Sequence, residues 1–205
     1  MNDIEKLVDA VIRSAFIPLE ASGRHVHVTK EQAQILFGHD LTEKRPLSQP
    51  GQFLCNERVT VAGPKGAFQN VAVLGPARKE AQVEISVTDG RTLGITPPVR
   101  LSGDVKDTPG VRLVGPCGQV ELSQGVIAAQ RHIHMSPADA RHFGVTDGQE
   151  VSLETFTGRP VVFQKVPLRV RPDFATYAHL DYDEANACGM RDGDLGRIVP
   201  RGKRC

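Results

Sequence analysis

The chain contains no tryptophan, and aromatic residues make up only 5% of its 205 positions. Hydrophobic residues still reach 40%, so a sizeable core is possible. An excess of either charge is absent too. Lys and Arg total 25 against 24 Asp and Glu, a net charge of +1, which argues against nucleic acid or an anionic membrane as the main partner. No apolar run approaches a transmembrane helix. The first residues carry Asp and Glu and lack the apolar region of a signal peptide. Cys55, Cys117, Cys188 and Cys205 show neither C-x-x-C spacing nor disulfide-rich density. They read as reduced thiols of a cytoplasmic protein. Small buried hydrophobes are expected at the first three, and Cys205 falls in a basic tail.

What is present is a short stretch used twice. Gly23-Arg24-His25-Val26-His27-Val28-Thr29 is matched by Gln130-Arg131-His132-Ile133-His134-Met135-Ser136. On a strand, residues i and i+2 share a face. Val26, Val28, Ile133 and Met135 then point into a core, and the two imidazoles of each copy lie side by side, about 7 Å apart at Cα by strand rise. Neutral imidazoles so placed can lean onto one ion of the zinc type. One such pair alone would also suit a solvated strand face. The duplication favours metal, and four of the seven His lie in these motifs.

Around the repeat, Gly and Pro (20 and 14 residues) suit many short strands and turns. Residues 3–16 form the clearest helix, with Ile4, Leu7, Val8, Val11, Ile12, Ala15 and Phe16 on one face, Asn2 or Asp3 as cap and Pro18 as stop. It reads equally as a core cover or as a docking helix for a second subunit or larger assembly. Ala21–Val28 is the first His strand. Thr29–Gln32 is a capping box for a helix that stops at Gly38. Ser136-Pro137 opens a second short helix that stops at Gly144. Strands are expected at Phe53–Val61, Gln69–Val73 and Gln82–Val87, and again at Glu150–Glu154, Pro160–Val166 and Thr176–Leu180, with Val99–Val120 as the crossover. Short strands at this spacing point to small barrels.

Three further positions carry possible chemistry. Glu84 alternates with Val83, Ile85 and Val87, an outward carboxylate that is usually just solvated. His179 reads as a structural His with Asp181, Asp183 and Glu184 close by as acceptors. Arg78 follows a Gly75-Pro76 turn beside Lys79. It reads as a surface pair or, through its planar guanidinium, as a phosphate binder.

Taken together, the paired Arg-His-Val/Ile-His motifs, Gly75-Pro76-Ala77-Arg78 followed by Gln82-Val83-Glu84, Ser102-Gly103-Asp104 and His179-Leu180-Asp181 resemble the PduL-type phosphotransacylases, the phosphate propanoyltransferases. The resemblance runs from about Ile17 to Val199. It implies a mainly β chain with short α-helices, built as two small capped β-barrels related by the internal repeat, with a dinuclear zinc site between them. It implies metal ligands at His25, His27 and Glu84 for one ion and at His132, His134 and His179 for the other, two Zn(2+) per chain, and phosphate held by Arg78. It also implies interleaved domains: the helix at 1–16, a first barrel at 22–129, and a second at 130–200 that takes in strand 17–21.

The expected function is reversible transfer of a short acyl group, propanoyl or acetyl, between coenzyme A and phosphate. A metal with an open position would polarise the carbonyl and hold the leaving thiolate. Arg78 would align phosphate as the nucleophile. The ligand types by themselves also fit a zinc-dependent thioester hydrolase or a metal-stabilised binding module. A homo-oligomer is expected. In some relatives such N-terminal helices target a bacterial microcompartment, through its shell or lumen proteins.

Overall fold

The computed structural model describes residues 3–199. Capping by Asn2 and the environment of Cys205 lie outside the described residues, as does the side chain of Asp3. The elements in chain order begin with α1 (Asp3–Ala15), β1 (Ile17–Ser22), β2 (His25–His27), α2 (Lys30–Phe37), β3 (Glu43–Pro46), β4 (Phe53–Ala62), β5 (Ala67–Gly75) and β6 (Gln82–Ile85). Then come α3 (Val87–Leu93), β7 (Val99–Arg100), β8 (Arg112–Val114), β9 (Gln119–Glu121), β10 (Val126–Ala129) and β11 (His132–Met135). The chain ends with α4 (Pro137–Phe143), β12 (Glu150–Phe156), β13 (Val162–Val170), β14 (Tyr177–Asp181), α5 (Tyr182–Cys188) and β15 (Leu195–Val199).

The chain divides into two compact units. The barrel unit comprises the described parts of residues 1–21, 131–180 and 184–205. Its strands close in the order β1, β14, β11, β13, β12, β15. The seam is antiparallel, with Ile17 opposite Gly196. Ile17, Leu19, Ile133, Met135, Leu153, Leu168 and Leu180 fill the interior. Closure leaves no strand edge open.

The second unit comprises residues 22–130 and 181–183. It is a curled half-barrel sheet ordered β7, β10, β6, β2, β5, β4, β8, β9, with β3 added to β4. Val26, Val28, Leu36, Val59, Val73, Val83, Leu113 and Val126 pack beneath it. The expectation of two capped barrels is thus met as one closed barrel and one curled sheet.

The repeat's caps form as read. Thr29 and Gln32 make the reciprocal capping box of α2, Ser136 caps α4 with Pro137 in its first turn, and Gly38 and Gly144 end these helices in the left-handed conformation that glycine adopts without a Cβ penalty.

Elsewhere the structure differs. The expected strand Ala21–Val28 breaks after Ser22, because β1 joins the barrel and β2 the half-barrel sheet. Gly23 sits at the break, where a Cβ would meet the Tyr182 hydroxyl at 2.5 Å. Pro18 lies inside β1, opposite Leu195, rather than simply stopping the helix. The strand expected to reach Val87 stops at Ile85, since Ser86 caps α3 and Asp89 completes a capping box. Thr88, Asp89 and Gly90 belong to that helix. The 99–120 crossover carries β7, β8 and β9 in its course. Cys55 and Cys188 are buried but Cys117 is exposed. On α1 the side chains of Ile4, Leu7, Val8 and Val11 are exposed, so the helix does not cover a core with that face.

Candidate functional site

In each unit the His-x-His strand has the same two neighbours. β2 lies between β6, antiparallel, and β5, parallel. β11 lies between β14, antiparallel, and β13, parallel. Across the antiparallel pair His25 stands opposite Glu84, and His132 stands opposite His179. Non-adjacent residues in sequence thus become direct cross-strand partners. The outcome is two groups of three donors, His25–His27–Glu84 and His132–His134–His179, the donor atoms of each within 4.8 Å of one another.

Neither His pair lies on a solvated face. His25, His27, His132 and His134 are all buried, and so are Val26, Val28, Ile133 and Met135 on the opposite side of the same strands. Glu84, expected to point outward, is buried because all four residues of β6 are covered. The His25 and His27 rings have centroids 5.0 Å apart, and those of His132 and His134 are 4.6 Å apart. His179 completes the second group, 5.0 Å from His132 and 4.8 Å from His134 by centroid.

Backbone carbonyls orient the first pair. His25 Nδ1 donates to Gly23 O at 2.8 Å and His27 Nδ1 donates to Leu74 O at 3.1 Å. Each Nε2 is left as the lone-pair nitrogen, the arrangement typical of metal-holding imidazoles. His25 Nε2 is 3.5 Å from Glu84 Oε1. Two donors on one tetrahedral zinc ion, each at about 2.0–2.1 Å, are separated by about 3.3 Å, so this pair fits an ion with little movement. In the barrel unit, Glu20 of β1 stands 3.4 Å from His179 Nδ1. It is an acid close to His179 beyond the three that follow it in sequence. Glu184 instead pairs with Arg131, and Asp183 accepts from the Thr88 N–H at 2.9 Å. His134 stacks on Phe174, centroids 4.0 Å apart.

Electrostatics support the same geometry. Burial opposes ionisation of Glu84, but the neighbouring His25 and His27 outweigh it and hold the carboxylate well below its usual range. Burial opposes the charge of His25 as well, yet Glu84 raises its pKa. For His27, burial and the adjacent His25 push the pKa well below the ordinary value, which keeps the ring neutral and available as a donor.

Arg78 is in the half-barrel unit, at a partly buried position, and its charge disfavours protonation of both His25 and His27. The turn before it is set by a cis Gly75-Pro76 bond. A Cβ on Gly75 would strike the Phe53 ring, so glycine lets the ring approach this closely. The Arg78 N–H bonds to Val28 O at 2.9 Å, and Nη1 donates to Ser102 Oγ at 3.1 Å. A cleft of about 320 Å³ opens beside it, lined by Arg78, Ala81, Gln82, Gly103 and Val105 among others.

Sequence reading missed the clamps on both His strands. Arg24 bonds to Asp89 through two nitrogens at 2.8 and 3.1 Å and lies 4.1 Å over the Phe68 ring. Arg131 pairs with Glu184 and lies 5.6 Å over Phe163. Each acid follows the third donor by five residues, and each Phe is second in its strand. A signal was available: Phe68-Gln69-Asn70-Val71 and Phe163-Gln164-Lys165-Val166 are a second repeated motif, and Asn70 and Lys165 both adopt positive φ.

The chain is similar to known proteins along most of its length. A family model described as phosphate propanoyltransferase matches residues 18–191. A phosphate propanoyltransferase of Listeria monocytogenes is 50% identical over 98% of this chain and 97% of its own length. One from Clostridioides difficile is 48% identical over 98% of both chains, and one from Enterococcus faecalis is 54% identical over 88% of this chain and 87% of its own. With a family match across most of the chain and relatives at this identity along nearly all of it, the chain belongs to the phosphate propanoyltransferase family and is an acyltransferase.

Proposed function

We propose that this chain reversibly converts a short-chain acyl-coenzyme A, propanoyl or acetyl, and phosphate into acyl phosphate and coenzyme A. In this reading it holds two zinc-like ions, one at His25, His27 and Glu84 and one at His132, His134 and His179. The supporting observation is the placement of Arg78, held by Ser102 on an open cleft, in the same unit as a buried donor triad whose imidazoles it influences.

When bound, the ions would supply Lewis-acid polarisation of the thioester carbonyl and a soft partner for the thiolate. The residues themselves do the rest. Arg78 presents a planar cationic fork that binds and orients phosphate. Phosphate is already ionised at neutral pH, so its alignment against the carbonyl, rather than proton removal, supplies the acceleration. The Nδ1–H bonds to Gly23 and Leu74 keep both Nε2 atoms of the first pair turned toward the triad. Burial of all three donors keeps them from bulk water.

The exposed apolar face of α1 (Ile4, Leu7, Val8, Val11) supports a docking role, in a homo-oligomer or against microcompartment shell or lumen proteins, consistent with a cytoplasmic enzyme.

The test is coenzyme A release from propanoyl- and acetyl-coenzyme A, each with and without phosphate and with and without a chelator. Release that requires phosphate and is abolished by the chelator is expected. Release at the same rate without phosphate would make the protein a thioester hydrolase instead.

A further inference from the structure

The half-barrel unit contains a hydrogen-bonded chain that connects Arg78 to Glu84. Arg78 Nη1 donates to Ser102 Oγ at 3.1 Å. Gln82 Nε2 donates to the same Ser102 Oγ at 2.8 Å and to Glu84 Oε1. Gln82 Oε1 accepts from the Gly103 N–H at 2.7 Å. A backbone N–H can only donate, so that last bond fixes which end of the carboxamide is oxygen. Both hydrogens of the amide nitrogen are then committed, one to the serine and one to the carboxylate. Gln82 is 2% exposed, and burying a carboxamide is tolerable only when its groups are paired, as here.

The repeat offers a control within the molecule. Gln82 stands opposite His27 on β2, two residues before Glu84. In the barrel unit the place opposite His134, two residues before His179, is held by Tyr177. The same strand topology is therefore built with a different residue, so the fold as such does not call for glutamine at 82. The barrel unit has an arginine at the equivalent place, with Arg171 N–H on Met135 O as Arg78 N–H is on Val28 O, but its guanidinium bonds Asp173. What distinguishes the half-barrel unit is a carboxylate as third donor and an arginine joined to it through Ser102 and Gln82.

We propose that Gln82 is a positioning residue that sets the orientation of the Glu84 carboxylate and, through Ser102, of the Arg78 guanidinium. One amide thus fixes the geometry of the anion-binding arginine relative to the metal-holding carboxylate. This rests on the roles proposed above for Arg78 and Glu84. Ser102 Oγ already accepts from both neighbours, so its own hydroxyl hydrogen is the donor left to give.

The test uses Gln82→Met, which keeps the length and removes all three hydrogen bonds, alone and combined with Arg78→Ala. Two readouts are needed: KM for phosphate and for coenzyme A separately, and the rate at which zinc-loaded protein loses metal to a chelator, followed by elemental analysis without substrate. The expected result is a rise of about tenfold in phosphate KM and about tenfold faster metal loss, with coenzyme A KM within about twofold of wild type, the scale seen when partners that orient ligands are removed. In the Arg78→Ala background, Gln82→Met should raise phosphate KM no further. A purely structural role would lower the thermal midpoint and all kinetic constants together, and that pattern overturns the proposal. Additive effects on phosphate KM overturn it too. If Arg78→Ala itself leaves phosphate KM unchanged, the phosphate reading of Arg78 is what fails, and the chelator rate alone decides the role of Gln82: wild-type rates overturn it, faster loss upholds its hold on Glu84.

Discussion

Glu84 faces His25 directly across the antiparallel pair of β2 and β6, its Oε1 3.5 Å from the imidazole Nε2. His179 stands in the same relation to His132 on β11 and β14. The third donor of each triad is therefore specified by register. A one-residue slip would turn it to the other face of the strand.

Metal content follows from the two triads. Chelator-free protein should contain about two zinc-like ions per chain. His132→Ala and Glu84→Ala should each cost about one of them with the fold largely kept. Elemental analysis with far-ultraviolet circular dichroism checks both. Occupancy should also fall with pH, because an ion binds only the neutral ring. Glu84 raises the pKa of His25, so in the metal-free triad a proton competes for that ring from above its ordinary value of about 6.5. Occupancy at the first triad that stays constant from neutral to mildly acid pH would contradict this.

Arg78 should serve phosphate rather than coenzyme A. Arg78→Lys should weaken phosphate use markedly, since an ammonium cannot supply two parallel bonds, and Arg78→Ala should cost about 2–4 kcal/mol, or about thirtyfold to a thousandfold in rate. Titrations of phosphate, and of coenzyme A in the reverse direction, separate the two. Equal losses for both substrates would refute the assignment.

Removing α1 should alter oligomeric mass or cellular location more than chemistry. Ile4, Leu7, Val8 and Val11 are exposed on it, and none of the six donors lies there. Light scattering of the truncated protein and imaging of a reporter fused to the helix provide the check. Unchanged mass with a diffuse reporter would dismiss the docking role.

The Arg24 clamp should be structural. Arg24→Ala removes the bonds to Asp89 and the stacking on Phe68, and should cost about 1–2 kcal/mol in a part-exposed setting. Urea denaturation measures it. A loss confined to kcat at unchanged stability would show a direct part in the chemistry instead.

The thiols should differ in reactivity. Burial, reinforced by Glu57, pushes Cys55 up to about 12, so it stays protonated and hidden at pH 8, whereas Cys117 is exposed. Iodoacetamide with peptide mapping should mark Cys117 and spare Cys55 in the folded protein.

The two His pairs, their aliphatic backing, the capping boxes and the glycine stops were legible from the sequence, because strand and helix periodicity and capping are local rules that neighbouring residues obey by themselves. The resemblance carried by the ordered motifs supplied Glu84, His179 and Arg78 as candidates. Nothing local could have separated them from a solvated carboxylate, a structural histidine or a surface arginine. For Glu84, burial and register exclude the solvated reading: β6 is covered on both faces, and cross-strand pairing brings Glu84 to His25 over 59 positions of sequence. The break at Gly23 and the Gln82–Ser102 connection likewise depend on which strands become neighbours. Strand pairing is a long-range choice, made by the packing of the whole sheet against its core, and only the tertiary structure decides it.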